Sequence, residues 1–224
     1  MDATPPAHHR VRNSRDGLRR VIIGAVLIGA QSNAAHAYTV SMTAGTPNTV
    51  YLQVGVGSFT GIYSSGGTPG NNTTVNKVSV TVPAAVLGNA TLQTMTTDST
   101  ATQSFWDNYT FCSVPGQVYI GGFYRTTGST SAAAQVTATV PVALTSTAGQ
   151  TIPFSKIRWA TSGNGDTGAQ PFPAGTFVNG GVQNVGAMSN NTWNESCWAF
   201  SYSNDSVPAA GTFTGRVLYT LSSP

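Results

Sequence analysis

The side chains best suited to acid–base chemistry in this chain are one glutamate and a few aspartates. Glu195 is the only glutamate, and the aspartates beyond residue 37 are Asp98, Asp107, Asp166 and Asp205. Hydrolysis of a glycosidic bond needs two carboxyl groups about 5–10 Å apart. None of these residues lies in a recognisable catalytic motif, so we interpret all five as solvated loop residues and predict that the protein is not an enzyme. A hydrolase built on Glu195 is the least implausible enzymatic alternative.

Histidine is confined to the N-terminal stretch, at positions 8, 9 and 36. The chain beyond residue 37 therefore lacks the commonest general base and metal ligand. This excludes Ser–His–Asp catalysis and a cysteine nucleophile activated by histidine. Two cysteines without histidine also argue against zinc. We predict no catalytic residues, no metal and no cofactor.

Cys112 and Cys197 are the only cysteines. In an exported chain such a pair most simply forms one disulfide bond. Closing so long a loop would stabilise the fold by about 4–5 kcal/mol on the chain-entropy model. The alternative is two buried free thiols.

Residues 1–37 have the three parts of a cleaved export signal. Five arginines precede an apolar run at residues 21–30 (VIIGAVLIGA), and Ala35, His36 and Ala37 then form a small-x-small cleavage pattern. The run is too short to span a bilayer, which needs about 20 residues. We predict an exported protein with no membrane span in the mature chain, located in the periplasm, at the cell surface or outside the cell. The pair Arg19 and Arg20 leaves twin-arginine export as an alternative to the general route.

Residues 38–224 have five basic and five acidic side chains, so their net charge is zero. This excludes the electrostatic attraction on which nucleic-acid binding depends. Threonine, valine and aromatic residues are frequent, as in β-strands. Apolar residues alternate at Val78, Val80 and Val82, and again along residues 134–142 and 213–221, between turn-rich stretches. We therefore predict an all-β fold, a single immunoglobulin-like or jelly-roll-like β-sandwich domain over residues 38–224. The best candidate for a short helix is residues 84–93.

Aromatic residues alternate with the cysteines along residues 109–112 (YTFC) and along residues 197–202 (CWAFSY). Because side chains alternate across a strand, each cysteine should face away from the neighbouring aromatic residues. If the two segments are neighbours, one face carries the aromatic set and the disulfide lies on the other. That set is Tyr109, Phe111, Trp198, Phe200 and Tyr202. We interpret the aromatic face as the sandwich core; the alternative is an exposed platform of the kind that stacks sugar rings.

Two further tryptophans, Trp106 and Trp193, have polar neighbours in the sequence. These neighbours predict that both rings are exposed. Trp106 and Trp193 are therefore the candidate ligand-binding aromatics of the chain.

The C-terminal stretch VPAAGTFTG followed by RVLYTL, residues 207–221, resembles the last strand of bacterial fimbrial subunits and spore-coat-U-type secreted proteins. In that family an AGxF/Y turn leads into an alternating final strand with a tyrosine near its end. The resemblance is confined to this stretch. It implies an immunoglobulin-like sandwich whose exposed edge is completed by a strand from a neighbouring subunit. Residues 38–43 also alternate, through Val40 and Met42, and form a short candidate donor strand.

Two functions follow from these observations. The first is an exported structural or adhesive surface protein, such as a fibre or coat subunit, that self-associates through strand edges. It fits the zero net charge and the absence of catalytic motifs. The alternative is a soluble carbohydrate- or ligand-binding β-sandwich module whose partner would be a surface glycan.

Overall fold

The computed structural model describes residues 39–44, 48–61, 67–128, 132–163 and 170–224. The predicted signal peptide, residues 1–37, and Asp166 lie outside the described residues. All described residues belong to one compact unit.

Strands dominate the regular structure. In chain order they are β1 (Thr39–Ser41), β2 (Thr49–Val54), β3 (Phe59–Thr60), β4 (Thr68–Pro69), β5 (Val78–Ser79), β6 (Leu92–Thr94), β7 (Thr96–Thr97), β8 (Val118–Arg125), β9 (Ala134–Val140), β10 (Ala143–Ser146), β11 (Thr151–Pro153), β12 (Ile157–Ser162), β13 (Gly175–Thr176), β14 (Gly181–Met188), β15 (Thr192–Ser203), β16 (Phe213–Thr214) and β17 (Leu218–Ser222). Short 3₁₀ turns occupy Ala84–Val86 and Phe154–Lys156. Within the described ranges no helix is long and apolar enough to cross a membrane.

The largest sheet is built around β15. The first half of β15 pairs with β8 on one side and β1 on the other, and its second half pairs with β12 and β6. β2 extends this sheet beyond β8, and β13 extends it beyond β12. All of these pairings are antiparallel, and β15 therefore has neighbours along both edges.

Two smaller antiparallel sheets supply the opposing strands. In one, β9 lies between β14 and β17; in the other, β10 lies between β11 and β16. Alternate side chains of β9, namely Val136, Ala138 and Val140, are buried in the same core as Val118 and Ile120 of β8. The main core thus lies between the sheets, and the predicted all-β sandwich is confirmed.

The alternating C-terminal run is divided between two sheets. Phe213, Val217, Tyr219 and Leu221 are half-buried against the main core, as their spacing predicts. However, β16 pairs with β10, whereas β17 pairs with β9. One segment therefore passes from one small sheet to the other.

The helix predicted at residues 84–93 is wrong beyond its first turn. Only Ala84–Val86 forms a 3₁₀ turn. Gly88 and Ala90 then adopt positive φ angles of 74° and 62°, which a right-handed helix does not accept. The following residues form β6, because their backbone pairs with β15.

Candidate functional site

A groove of about 890 Å³ lies between the sheets, and we call it the interlayer groove. Its floor is formed by core side chains that include Val118 of β8, Phe200 of β15 and Phe154 of the second 3₁₀ turn. Its lining also includes two chain segments, residues 75–82 and 208–217. Protein interiors are normally packed with few voids larger than a water molecule. A groove of this size can therefore receive a further chain segment or a ligand.

Beside the groove, each lining segment pairs with a neighbouring strand over only two residues. The first pairs with β7 only at Val78–Ser79, and residues 80–82 belong to no strand. The second pairs with β10 only at Phe213–Thr214, and residues 215–217 belong to no strand. Val80, Val82 and Val217 nevertheless pack against the core. Each segment thus combines apolar side chains turned towards the core with backbone outside the sheets.

The charged residues that line the interlayer groove are Lys77 and Arg216, and both are exposed. The carboxylate of Asp98 accepts hydrogen bonds from the Lys77 backbone N–H at 2.7 Å and from the Asn76 amide at 3.1 Å. The Lys77 backbone hydrogen bond is the main cause of the lowered pKa of Asp98. Two positive side chains beside an apolar floor favour a partner with a negative group at its end.

The predicted disulfide between Cys112 and Cys197 is confirmed, with the two Cα atoms 5.5 Å apart. Cys112 belongs to residues 98–113, which connect β7 towards β8 and which we call the covering loop. Cys197 lies on the face of β15 opposite Trp198, Phe200 and Tyr202, as its position in the alternation predicts. The disulfide therefore attaches the covering loop to the outer face of the largest sheet.

The prediction that Tyr109 and Phe111 share the core face is wrong. Tyr109 is 54% exposed. Phe111 packs on Tyr119, with ring centroids 6.0 Å apart, on the disulfide side of the sheet. The reason is local: around these residues only Thr110 forms a bridge, to Gln103 inside the covering loop, so no strand continues the alternation.

The exposure predicted for Trp193 is also wrong. Its side chain is 0% exposed and packs against Tyr51, Phe123 and Trp106 at centroid distances of 5.9–6.5 Å. Trp193 lies on a central strand whose outer face is covered, so its polar sequence neighbours do not indicate exposure. Trp106 is half-buried on the covering loop. The structure thus brings the two candidate aromatics together, but as part of a small second core.

Glu195 is the largest departure from the sequence interpretation, because it is neither in a loop nor solvated. It is 0% exposed on β15. Its Oε2 accepts hydrogen bonds from the Tyr119 hydroxyl at 2.8 Å and from Trp193 Nε1 at 2.9 Å. Its Oε1 is buried without a hydrogen-bond partner among the described residues. A fully buried carboxyl group of this kind favours the neutral acid.

Burial is the main cause of the raised pKa of Glu195, and the charge of Asp107 raises it further. Hydrogen bonds from Trp193, Ser104 and Tyr119 oppose this rise but do not cancel it. Asp107 itself is exposed on the covering loop. The carboxyl group thus lies buried beneath the loop, with a pKa above that of an ordinary glutamate.

The remaining described aspartates are held apart from Glu195. Asp98 is bonded at the lining of the interlayer groove, and Asp205 forms an ion pair with Lys156 at 2.6 Å. The hydrogen bond from Lys156 is the main cause of the lowered pKa of Asp205. Across the described ranges no group of three or more His, Cys, Asp or Glu residues is placed to hold a metal ion.

Comparison of the chain with protein-family models, with characterised proteins and with solved structures finds no match. Two features of the described structure bear on function: the interlayer groove and the covered Glu195.

Proposed function

We propose that the protein is an exported structural subunit whose copies associate when a β-strand of one copy enters the interlayer groove of another. The observation that carries this proposal is the groove itself, an apolar floor between two segments that leave the β-ladder. Export is supported by the signal-like residues 1–37 and by the disulfide, which is typical of oxidising compartments.

The form of the groove suits a strand better than a compact ligand. In an extended strand every second side chain points the same way, so an alternating apolar segment can place one row of side chains on the floor. Its backbone N–H and C=O groups can then pair with residues 80–82 and 215–217, which lie outside the strands. Strand addition of this kind obtains affinity from backbone hydrogen bonds and specificity from alternate side chains.

A second copy is the partner that the chain composition favours. Residues 38–224 carry no net charge, so copies do not repel one another over long range. Alternating segments of the required pattern are frequent in this chain. The short N-terminal candidate, residues 38–43, is partly engaged already, because β1 pairs with β15 in its own chain. Donation of that segment would require it to leave this pairing.

The competing function is the binding of a small ligand in the same groove. Its volume of about 890 Å³ lies within the range of ligand pockets, about 300–1,000 Å³. Lys77 and Arg216 would favour an apolar molecule with an anionic head group. A stacked sugar is less well supported, because Trp193 is buried and only Trp106 is partly accessible.

Two matched valine substitutions separate these functions. Val75 lines the groove and is 60% exposed, whereas Val142 is 71% exposed and does not line it. Because both side chains are largely solvated, neither change to aspartate should unfold the subunit. We expect light scattering on a size-exclusion column to show oligomers of the exported protein. Val75→Asp should weaken association by at least about tenfold, and Val142→Asp should leave it unchanged.

A monomer at every concentration tested would contradict strand exchange between copies. An equal loss of oligomers in both variants would place association outside the groove. If the monomer instead binds a long-chain fatty acid and Val75→Asp abolishes that binding, the ligand-binding function replaces the structural one.

A further inference from the structure

The covering loop folds mainly on itself. The backbone N–H groups of Phe111 and Cys112 both donate to Thr102 O at 3.0 Å, and the N–H of Ser104 donates to Tyr109 O at 2.8 Å. The loop meets the sheet through side chains instead. These contacts include the disulfide, the packing of its aromatic rings on those of Tyr119 and Trp193, and a hydrogen bond from the Ser104 side chain to Glu195. A loop of this construction can separate from the sheet as a unit.

Glu195 and the disulfide lie side by side beneath this loop. Residues two apart on a strand face the same way, so Glu195 and Cys197 are both directed at the loop. Tyr119 contacts both features: its hydroxyl donates to Glu195, and its ring packs with the disulfide cysteines. Release of the loop would therefore expose the carboxyl group to water.

We propose that the covering loop is a redox-gated switch: while the Cys112–Cys197 disulfide is intact the loop stays closed over Glu195, and after reduction the ionisation of Glu195 opens it. Reduction adds two electrons and two protons to the disulfide, which becomes two thiols; a dithiol reductant supplies them and is itself oxidised to a disulfide. The switch acts at the outer face of the largest sheet, opposite the interlayer groove. The loop reaches the groove lining at its first residue, Asp98, which is bonded to Lys77 and Asn76.

The groups around Glu195 determine whether its ionisation favours the open or the closed loop. The titratable or charged groups that face this region are Tyr119 from β8, Tyr51 from β2 and Asp107 from the covering loop. None of these carries a positive charge. Burial raises the pKa of Tyr51 to about 12, so this phenol stays neutral near pH 7. An ionised Glu195 would keep a buried Oε1 without a donor and would face the negative charge of Asp107.

The pH dependence follows from linkage between proton binding and loop closure. The closed loop favours the protonated acid, so closure is strongest below the ordinary pKa of a glutamate. As pH rises above that value, Glu195 ionises in the open state before it ionises in the closed state. This difference stabilises the open state relative to the closed one. The equilibrium constant for opening should then rise by up to about tenfold per pH unit until the closed form also ionises.

Exchange of the two indole N–H groups on β15 provides the test. The Trp193 indole donates to Glu195 beneath the loop, whereas the Trp198 indole donates to the Phe172 carbonyl in the main core. Exchange would be followed by NMR from about pH 4.5 to about pH 7, with and without a phosphine reductant, and corrected for the intrinsic rate. In the reduced protein we expect opening at Trp193 to increase with pH by up to about tenfold per unit, while Trp198 remains protected.

In the oxidised protein both indoles should remain protected across this range. Reduced Glu195→Gln should lose the pH dependence, because its amide does not ionise. The proposal is overturned if reduced Trp193 shows no pH dependence, if Glu195→Gln shows the same dependence, or if the oxidised protein shows it. Parallel exchange at Trp198 would also overturn it, because that pattern indicates global unfolding. The comparison of Trp193 with Trp198 needs no variant, so a Glu195→Gln chain that fails to fold leaves the test intact.

Discussion

Trp193 donates a 2.9 Å hydrogen bond from its indole Nε1 to Oε2 of Glu195, and both side chains are fully buried on the outer face of β15. A pair of this kind joins the second core to the only glutamate of the chain. The other carboxyl oxygen of Glu195 lacks a donor among the described residues. The Trp193 hydrogen bond itself favours the carboxylate, but burial of the charge outweighs it, so the folded state favours the neutral acid.

This relationship predicts that stability falls with rising pH. A carboxyl group whose pKa is raised in the folded state contributes stability that is complete below its unfolded pKa. That stability is lost as pH rises through the folded pKa. Between the two values the free energy of unfolding should fall by up to about 1.4 kcal/mol per pH unit. Calorimetric melting of the oxidised protein from about pH 4.5 upwards should show this fall.

Glu195→Gln is the control for the pH prediction. Its melting temperature should vary less with pH than that of the native chain over the same range. Asp98 and Asp205 do not interfere, because the pKa of each is lowered and they ionise below this window. Parallel curves for the two proteins would contradict the assignment of the pH dependence to Glu195.

The inward-facing positions of the strands could be predicted from the sequence. Val78, Val80 and Val82 turn towards the core, as do alternate residues of β9 and of the C-terminal run. Period-two alternation is a local property of a strand, so it is visible without knowledge of the partners. The interlayer groove could not be predicted in this way. It depends on which strand segments lack a ladder partner, and this is decided by contacts distant in sequence.

The local sequence does not predict the covered face of β15, because the residues that cover it are also distant in sequence. The immediate sequence neighbours of Trp193 predict an exposed ring, although the side chains that bury it include Tyr51, Phe123 and Trp106. A signal for Glu195 was nevertheless present. Glu195 stands two residues from Trp193 and two from Cys197, so all three share one face. A face that carries a disulfide and a tryptophan is a buried face, and the carboxyl group belongs to it.

Removal of the disulfide should cost more stability than its two side chains alone suggest. Cys112 and Cys197 are 85 residues apart, and the bond restricts the unfolded chain over that length. We expect a Cys112→Ala, Cys197→Ala double variant to lose about 4–5 kcal/mol of unfolding free energy on the chain-entropy model. Denaturant titration of the double variant and of the reduced native chain should give similar losses. A loss below about 1 kcal/mol would contradict this role of the bond.

The two candidate tryptophans should differ sharply in their contribution to stability. Trp193 is completely buried, and its truncation to alanine also leaves Glu195 without one of its donors. A buried tryptophan-to-alanine change typically costs about 3–5 kcal/mol. Trp106 is only half-buried on the covering loop, so Trp106→Ala should cost clearly less. Denaturant titration of the two variants provides the comparison. Equal losses, or a larger loss for Trp106→Ala, would contradict the burial of Trp193 and would restore its exposure as a ligand-binding aromatic.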